Sequence, residues 1–440
     1  MARSHSREHL RTPVHDDVSV GRGPWYRRGI PWWAVIVTLL VLVTSAVAVE
    51  PIRDAALLSS VGEARLDVTA PYLSIAPISA ILDTLTLLTV AQHIALLVWA
   101  IVLFAAWRAL RKRRDGVQPV REAIAAGIFL AIVFAIYAIG AMVPRPMARI
   151  AISDETVLAV DFHAHTKYSH DGRSGWSDDK VRSWMNGAGF DAAYITDHRT
   201  FEGAERGVSA NPGVAGEGTL LFQGLEAGYN GEHVNVLSAG RRYKGLTGAD
   251  LRDIDEQSLN LAFMFPATSP VVIETLPGDV EKVKDSTAKG VSVVAMEIID
   301  GSPRGLAQGR RDRSRIVHLA DSLNFALVTG TDNHGWGRTA PGWTLLRVPG
   351  WRGMTTDSLS RRIEDVIRLG RRSATRPVER IVAGGQNPLS LALTPILVPW
   401  RMLTTLSADE RVMWIIWTWA IVFAIRAVRR YRSRPSTTTA

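Results

Sequence analysis

The sequence predicts two architectures in one chain: an α/β domain of about 230 residues, read as a barrel or wound sheet, and an all-α membrane part of about four transmembrane helices. Three observations predict this. Long runs lack charge; short β-rich runs alternate with helix-like stretches between residues 155 and 382; and histidines and carboxylates recur at the ends of those runs. A mean hydropathy of +0.07 agrees, because 21% charged residues would otherwise pull the mean below zero.

The membrane elements come first along the chain. Residues 31–49 hold 19 residues without a charge, close to the roughly 20 that cross a hydrocarbon core as a helix. Residues 77–107 form a longer apolar run interrupted by Asp83, Gln92 and His93, and 123–143 form a third clean run. Residues 412–428 make a short fourth span, with Arg426 placed to snorkel. Residues 386–411 read as an interfacial segment, since the apolar stretch 389–400 is short and holds Pro395 and Pro399. Asp83, Thr86 and His93 fall on roughly one helical face of the second run, and Asp83 is expected at its outer interface. Ala46-Val47-Ala48 resembles a signal-peptidase site, which would remove the first span and leave the remaining topology unchanged.

Charge sets the orientation. The net charge of +9 invites a nucleic-acid reading. Residues 1–30, the loop 108–122 and the tail from Arg426 onward together hold 17 Lys and Arg against five acids, a net of +12 that leaves −3 for all other residues. The basic excess therefore reports membrane orientation, with both termini cytoplasmic and residues 150–382 outside, and no nucleic-acid partner is expected. The basic run 304–315 precedes a helix and reads as a solvated face or one near anionic headgroups. The absence of cysteine excludes disulfides, thiolate-bound metals and a Cys nucleophile.

The α/β segment supplies the chemistry. His163 and His165 follow the run 156–162; Asp197 and His198 follow 191–196. Glu226 ends 219–226, His233 opens 233–239, Glu297 lies in 291–299, and Asp332 ends 325–332 with His334 just beyond it. In a barrel of parallel strands such ends converge on one face. Residues two apart in an extended strand point the same way, so His163 with His165, and Asp332 with His334, can each reach one metal. Imidazole and carboxylate without sulfur suit zinc, manganese or iron, and the donors outnumber what one ion needs, so at least two ions are expected.

The string DFHAHTKYSHDG (161–172), ITDH (195–198), GLE with the later His233, and GTDNH (330–334) together resemble the PHP domain, named for polymerase and histidinol phosphatase. The resemblance covers about residues 155–376, around half the chain. It implies a distorted (β/α)7 barrel with two or three divalent ions at the strand ends, usually hydrolysing phosphate esters. It places His163, His165, Glu226 and Asp332 on a first metal, and Asp171, or His170 in its stead, with His198 and His334 on a second. Glu226 and His233 would reach a third. The family's His-Pro pair there reads Phe265-Pro266, so one ligand is missing and Glu297 is the candidate replacement.

The implied reaction is hydrolysis of a phosphate ester by a metal-bound hydroxide. Asp197 would either protonate the leaving group or orient a histidine ligand, and Lys167, Arg199 and Arg338 are candidates to hold the phosphate. A PHP-like hydrolase of carboxyl or carbamate esters and a non-turnover metal-stabilised scaffold are the alternatives. The expected partners are the lipid bilayer and a small phosphate-ester or envelope-derived substrate; the sequence names no protein partner.

Overall fold

A computed structural model describes residues 31–115, 118–229, 232–237, 252, 270–276, 293–382 and 384–432. Its described strands are β1 (Ile52–Asp54), β2 (Ala64–Val68), β3 (Ala148–Ile152), β4 (Val157–Ala164), β5 (Ala192–Ile195), β6 (Leu220–Tyr229), β7 (Glu232–Leu237), β8 (Val271–Glu274), β9 (Val293–Asp300), β10 (Ala326–Gly330), β11 (Gly342–Arg347) and β12 (Thr375–Arg380). Ten form one sheet in the order β1-β12-β11-β4-β5-β6-β7-β8-β9-β10, and β2 pairs with β3. Strands β4, β5 and β6 run parallel, as do β8, β9 and β10; the other pairings are antiparallel.

The expected α/β class holds, but the sheet is a curled half-barrel of mixed strand direction and not a uniform parallel βα series. Its last strand returns beside the middle of the sheet without forming a ladder there. Side chains join that seam: Thr329 N donates to Thr344 Oγ1 at 2.8 Å, Thr375 Oγ1 to the Leu327 carbonyl at 2.7 Å, and Thr331 N to Asp161 Oδ1 at 2.9 Å.

Strand β4 shows how sequence alternation builds the site. Leu158, Val160 and Phe162 enter one core with Leu359, Ile363 and Ile367 of the amphipathic helix Thr356–Gly370. Val157 and Ala159 enter the other with Trp184 and Met185 of the helix Asp178–Ala188. On this second face the apolar series then gives way to Asp161 and His163. The helix Asp178–Ala188 starts with two acids in its first turn, which suits the positive end of its dipole. It stops at Gly189, whose φ of 84° and close approach to the Ile150 carbonyl admit only glycine.

Three helices are long and apolar enough to cross a membrane: Val90–Arg111, Pro119–Met142 and Ala408–Arg432. Trp32–Ser45 has 14 helical residues, about 21 Å, short of a roughly 30 Å core. The run 77–107 is not one helix. It divides into Ala76–Thr86 and a helix beginning at Val90, because Thr89 and Gln92 form a reciprocal cap: Thr89 N donates to Gln92 Oε1 at 3.0 Å and Gln92 N to Thr89 Oγ1 at 3.3 Å. His93 meets Tyr137 at 3.0 Å and shares no site with Asp83. Residues 386–411, expected as an interfacial segment, contain two short helices, Pro388–Ala392 and Thr394–Thr404.

Asp83 ties the helix Ala76–Thr86 to the sheet. Its carboxylate, 1% exposed, accepts from Arg145 Nη2 (2.7 Å), Thr339 Oγ1 (2.9 Å), Arg380 Nη1 (2.9 Å) and Tyr72 OH (3.1 Å). The basic run 304–315 is likewise not simply solvated. Arg310 donates to the Leu87 carbonyl at 2.9 Å, and Arg313 to Glu379 at 2.6 Å and to the Ala55 carbonyl.

Candidate metal centre

The curled sheet brings nine titratable side chains together from β4, the β5 end, β6, β7, β9 and the β10 end. His163 Nε2 lies 3.0 Å from His165 Nε2 and 2.9 Å from Glu226 Oε2. Asp332 Oδ1 stands 3.4 Å from both imidazole nitrogens, and His165 Nε2 is 3.2 Å from Glu226 Oε2. Glu226 Oε2 and Asp332 Oδ1 thus each lie against both imidazole nitrogens, four candidate donor atoms from three elements. This is the first ligand set expected from sequence.

The remaining donors form two further groups around it. His334 Nε2 lies 3.0 Å from Asp171 Oδ2, and His165 joins them as a possible triad of ligands. His198 Nε2 lies 3.0 Å from Glu226 Oε2 but 3.8 Å from Asp171 Oδ2, so it sits closer to the group of Glu226 and His233. His233 Nδ1 is 2.9 Å from Glu226 Oε1. His233 reaches this edge because β7 runs antiparallel to β6, which places the start of one strand beside the outer half of the other. His170 is exposed, its ring edge-on to His198.

The donor set fits divalent cations. Zinc-to-ligand distances near 2.0–2.2 Å put neighbouring donors about 3.0 to 3.4 Å apart in octahedral to tetrahedral shells, which is the spacing seen here. The electrostatics point the same way. Burial pushes the Glu226 carboxyl up, but the imidazoles of His163 and His198 reverse this and hold it well below the usual range. Burial lowers His163, and Glu226, Glu297 and Asp332 override it to raise that imidazole well above its usual value. His334, despite burial, is raised to about 9 by Asp171 and Asp332. Protons on imidazoles supply the positive charge that divalent ions would bring in exchange.

Around the donors stand side chains that hold their loops. Both oxygens of Asp197 accept from Thr166, the amide and the hydroxyl each at 2.6 Å. Asp161 does the same for Thr331, at 2.9 and 2.6 Å. Two Asp–Thr clamps therefore fix the chain just after His165 and just before Asp332. Burial raises Asp161 to about 7, against the lowering effect of the Thr331 bonds. Glu297 is completely buried and its Oε1 lies 2.9 Å from His163 Nδ1, the ring nitrogen turned away from the cluster. Gly330 is required beside it, because a Cβ would meet Glu297 Oε1 at 2.4 Å and His163 Cβ at 2.6 Å.

Arg199 and Asp332 adopt positive φ, 62° and 45°, uncommon for residues with side chains and costing about 1–3 kcal/mol each. Lys167 is exposed, its ammonium 4.8 Å from the Tyr168 ring centre. Phe265 and Pro266 lie outside the described residues. Sequence reasoning missed Asp161 and Asp300. Asp161 carried a signal, since it precedes His163 by two in a strand; Asp300, grouped with His163 and Glu297, ends the same run that Glu297 occupies.

A cleft of about 300 Å³ adjoins the donors, and Asp171, Asp332, His334, Ser302, Thr331 and Thr86 are among its lining residues.

No protein-family model matches the chain, and no curated protein matches it. Solved structures do. PsfC from Pseudomonas syringae is 18% identical over 60% of this chain and 99% of its own, with a TM-score of 0.34. A two-domain protein from Bacteroides vulgatus containing a predicted PHP-like metal-dependent phosphoesterase is 15% identical over 52% of this chain and 66% of its own, TM-score 0.29. An amidohydrolase from Chromobacterium violaceum, with bound sulfate and no metal, is 12% identical over 46% of this chain and 96% of its own, TM-score 0.28.

Proposed function

We propose that this protein is a membrane-anchored, metal-dependent phosphoesterase of the PHP type, with a distorted (β/α)7 barrel plan and its site outside the cytoplasm. The observation that carries the reading is the pair of imidazole nitrogens His163 Nε2 and His165 Nε2, 3.0 Å apart, with Glu226 Oε2 within 3.2 Å and Asp332 Oδ1 within 3.4 Å of both, beside a cleft. Divalent ions bound there would polarise a phosphoryl oxygen and lower the pKa of an attacking water.

The chain's own residues do the rest. His163, His165, Glu226 and Asp332 hold one ion; Asp171 and His334 with His165 or His198 hold the second; His198, Glu226 and His233 offer a third place. Glu297 orients His163 by accepting from its Nδ1–H, which leaves Nε2 as a lone pair for the metal. Asp197 acts as a positioning residue, since Thr166 occupies both its oxygens. Arg199, directly after His198, is assigned to the substrate phosphate with Lys167 at the rim. The cleft also meets the start of the helix Pro303–Arg311, an end that favours anions.

Full-length protein loaded with manganese or zinc is expected to hydrolyse p-nitrophenyl phosphate or its bis ester, and metal analysis to find two or more ions per chain. Hydrolysis of carboxyl esters alone, or bound ions without turnover of either ester, overturns the assignment. The lysine and arginine distribution supports the topology. A phosphatase reporter fused after Pro146 should be active and one fused after Ala440 inactive.

A further inference from the structure

A second concavity adjoins the loop that follows Asp332 and His334. It is a groove of about 270 Å³ between Ala141, Met142 and Pro144, at the end of the helix Pro119–Met142, and the side chains of Arg173, Lys180 and Arg338, the last of which lines this groove and not, as expected for a substrate-phosphate ligand, the cleft beside the donors. Gly335 and Gly337 line it too, and Gly337 N donates to the Ala141 carbonyl at 2.9 Å, fastening the ligand loop to the helix end.

The three cations have no carboxylate partner among the described residues. Arg173 donates to the Gly335 carbonyl at 3.0 Å and lies 4.9 Å from the Trp336 ring centre; Lys180 donates to the Gly175 carbonyl at 2.6 Å. Arg338 Nε is buried without any acceptor. Burial, then the neighbouring Arg145, pushes the Arg338 guanidinium below its ordinary value. Arg145 and Arg182 also bury an Nε without an acceptor, but each of these has a carboxylate partner, Asp83 and Asp179 respectively. Like charges gathered around one groove repel unless an anion offsets them, and a phosphate matches guanidinium donors well.

The position selects the source of that anion. The helix Pro119–Met142, 24 residues long, leaves apolar side chains such as Phe134 exposed to 75%. At 1.5 Å per residue it covers about 36 Å, so its end stands at headgroup depth. Trp336 beside it is 53% exposed, as expected of an interfacial tryptophan. The groove is smaller than the roughly 300–1,000 Å³ of sites for whole drug-sized ligands, so it takes a headgroup and leaves acyl chains outside.

We propose that this groove binds the phosphate of an anionic phospholipid headgroup, with Arg173, Lys180 and Arg338 as its cations, beside and distinct from the metal cluster. The proposal rests on the helix Pro119–Met142 spanning the bilayer and is independent of which ester the metal site cleaves.

The test uses the full chain in neutral detergent, titrated with short-chain phosphatidylglycerol, phosphatidylcholine and inorganic phosphate, with lipid retention read by native mass spectrometry. Phosphatidylglycerol should bind at least about tenfold more tightly than phosphatidylcholine. The triple variant R173Q/K180Q/R338Q should lose that preference while keeping the metal content of the parent, which shows that it has folded. Equal binding of the two lipids, or an unchanged preference in the variant, overturns the site. Inorganic phosphate displacing the lipid at equal concentration overturns the lipid assignment. Alkaline carbonate extraction stands apart from these: release of the protein from membranes sinks the spanning reading itself.

Discussion

Around Asp83 a buried carboxylate is answered by two arginines, a tyrosine and a threonine of the same chain. Around Glu226 the buried groups are donors of one kind, imidazole nitrogens and carboxylate oxygens all turned toward each other. Both regions remove charge from water, at a similar depth and in the same chain. The first is complete without help and acts as a fastener between the helix Ala76–Thr86 and the sheet. The second gathers candidate metal donors from several strands at one place. Buried charge therefore points to a ligand where imidazoles and carboxylates of several strands converge, and to a fastener where fixed cations answer a single acid.

The sharpest way to break this comparison is to remove donors from the converging cluster. Replacing His163 and His165 together with alanine should bring phosphoester hydrolysis to the uncatalysed background and remove bound metal, measured by turnover and by elemental analysis. Metal at about a hundred times its Kd should stabilise the parent by about 2.7 kcal/mol and this variant not at all, read from thermal midpoints. The Asp83 network should respond in the opposite manner. Asp83→Ala leaves Arg145 and Arg380 buried without their counter-charge and should destabilise the protein by about 3–5 kcal/mol in chemical denaturation, while the increment given by metal persists. Equal metal increments in both variants would erase the distinction between the regions.

A smaller effect is expected where the two logics meet. Glu297→Gln keeps the size of the side chain but weakens the bond to His163 Nδ1, and should lower metal affinity about 10- to 100-fold. An unchanged affinity with slower turnover would assign Glu297 a different role. The smallest effect concerns an acid in neither region. Burial raises Asp191 to about 6, against the bond from Ala159 N and the charge of Arg352, so its protonated form is favoured in the folded state. Its contribution is fully present below the ordinary value near 3.9 and is lost as pH rises through about 6. Asp191→Asn should match the parent at pH 4 and exceed its thermal midpoint at pH 8; equal midpoints at both would show that Asp191 is solvated.

The donor residues were legible because strand periodicity and motif spacing are local. His163 with His165, and Asp332 with His334, can be paired from their two-residue offsets alone. Asp171 lies against His334 only because the loop after β4 folds back, through Arg173 N donating to the His334 carbonyl at 3.1 Å. The placement of Glu297 behind His163, and the antiparallel β7 that delivers His233, depend on sheet curl and register, which no single segment encodes. The division of the run 77–107 did leave a local trace, Thr89-Val90-Ala91-Gln92, a capping box that apolar counting overrode. The partners of Asp83 were not legible for a related reason: they come from residues 72, 145, 339 and 380, scattered along the whole chain.

Strand β1 carries one more consequence. Residues 52–54 pair with residues 378–380, and β2 pairs with β3 at 148–152. Hydrogen-bonded strands occupy one compartment, so any crossings of a bilayer between residues 68 and 148 must be even in number. The two long helices of that interval satisfy the parity, and a rival scheme with a single or a triple passage would have to unzip the sheet. A soluble fragment starting near residue 150 would likewise lose β1 and β2, exposing the edge of β12 as an open seam for self-association.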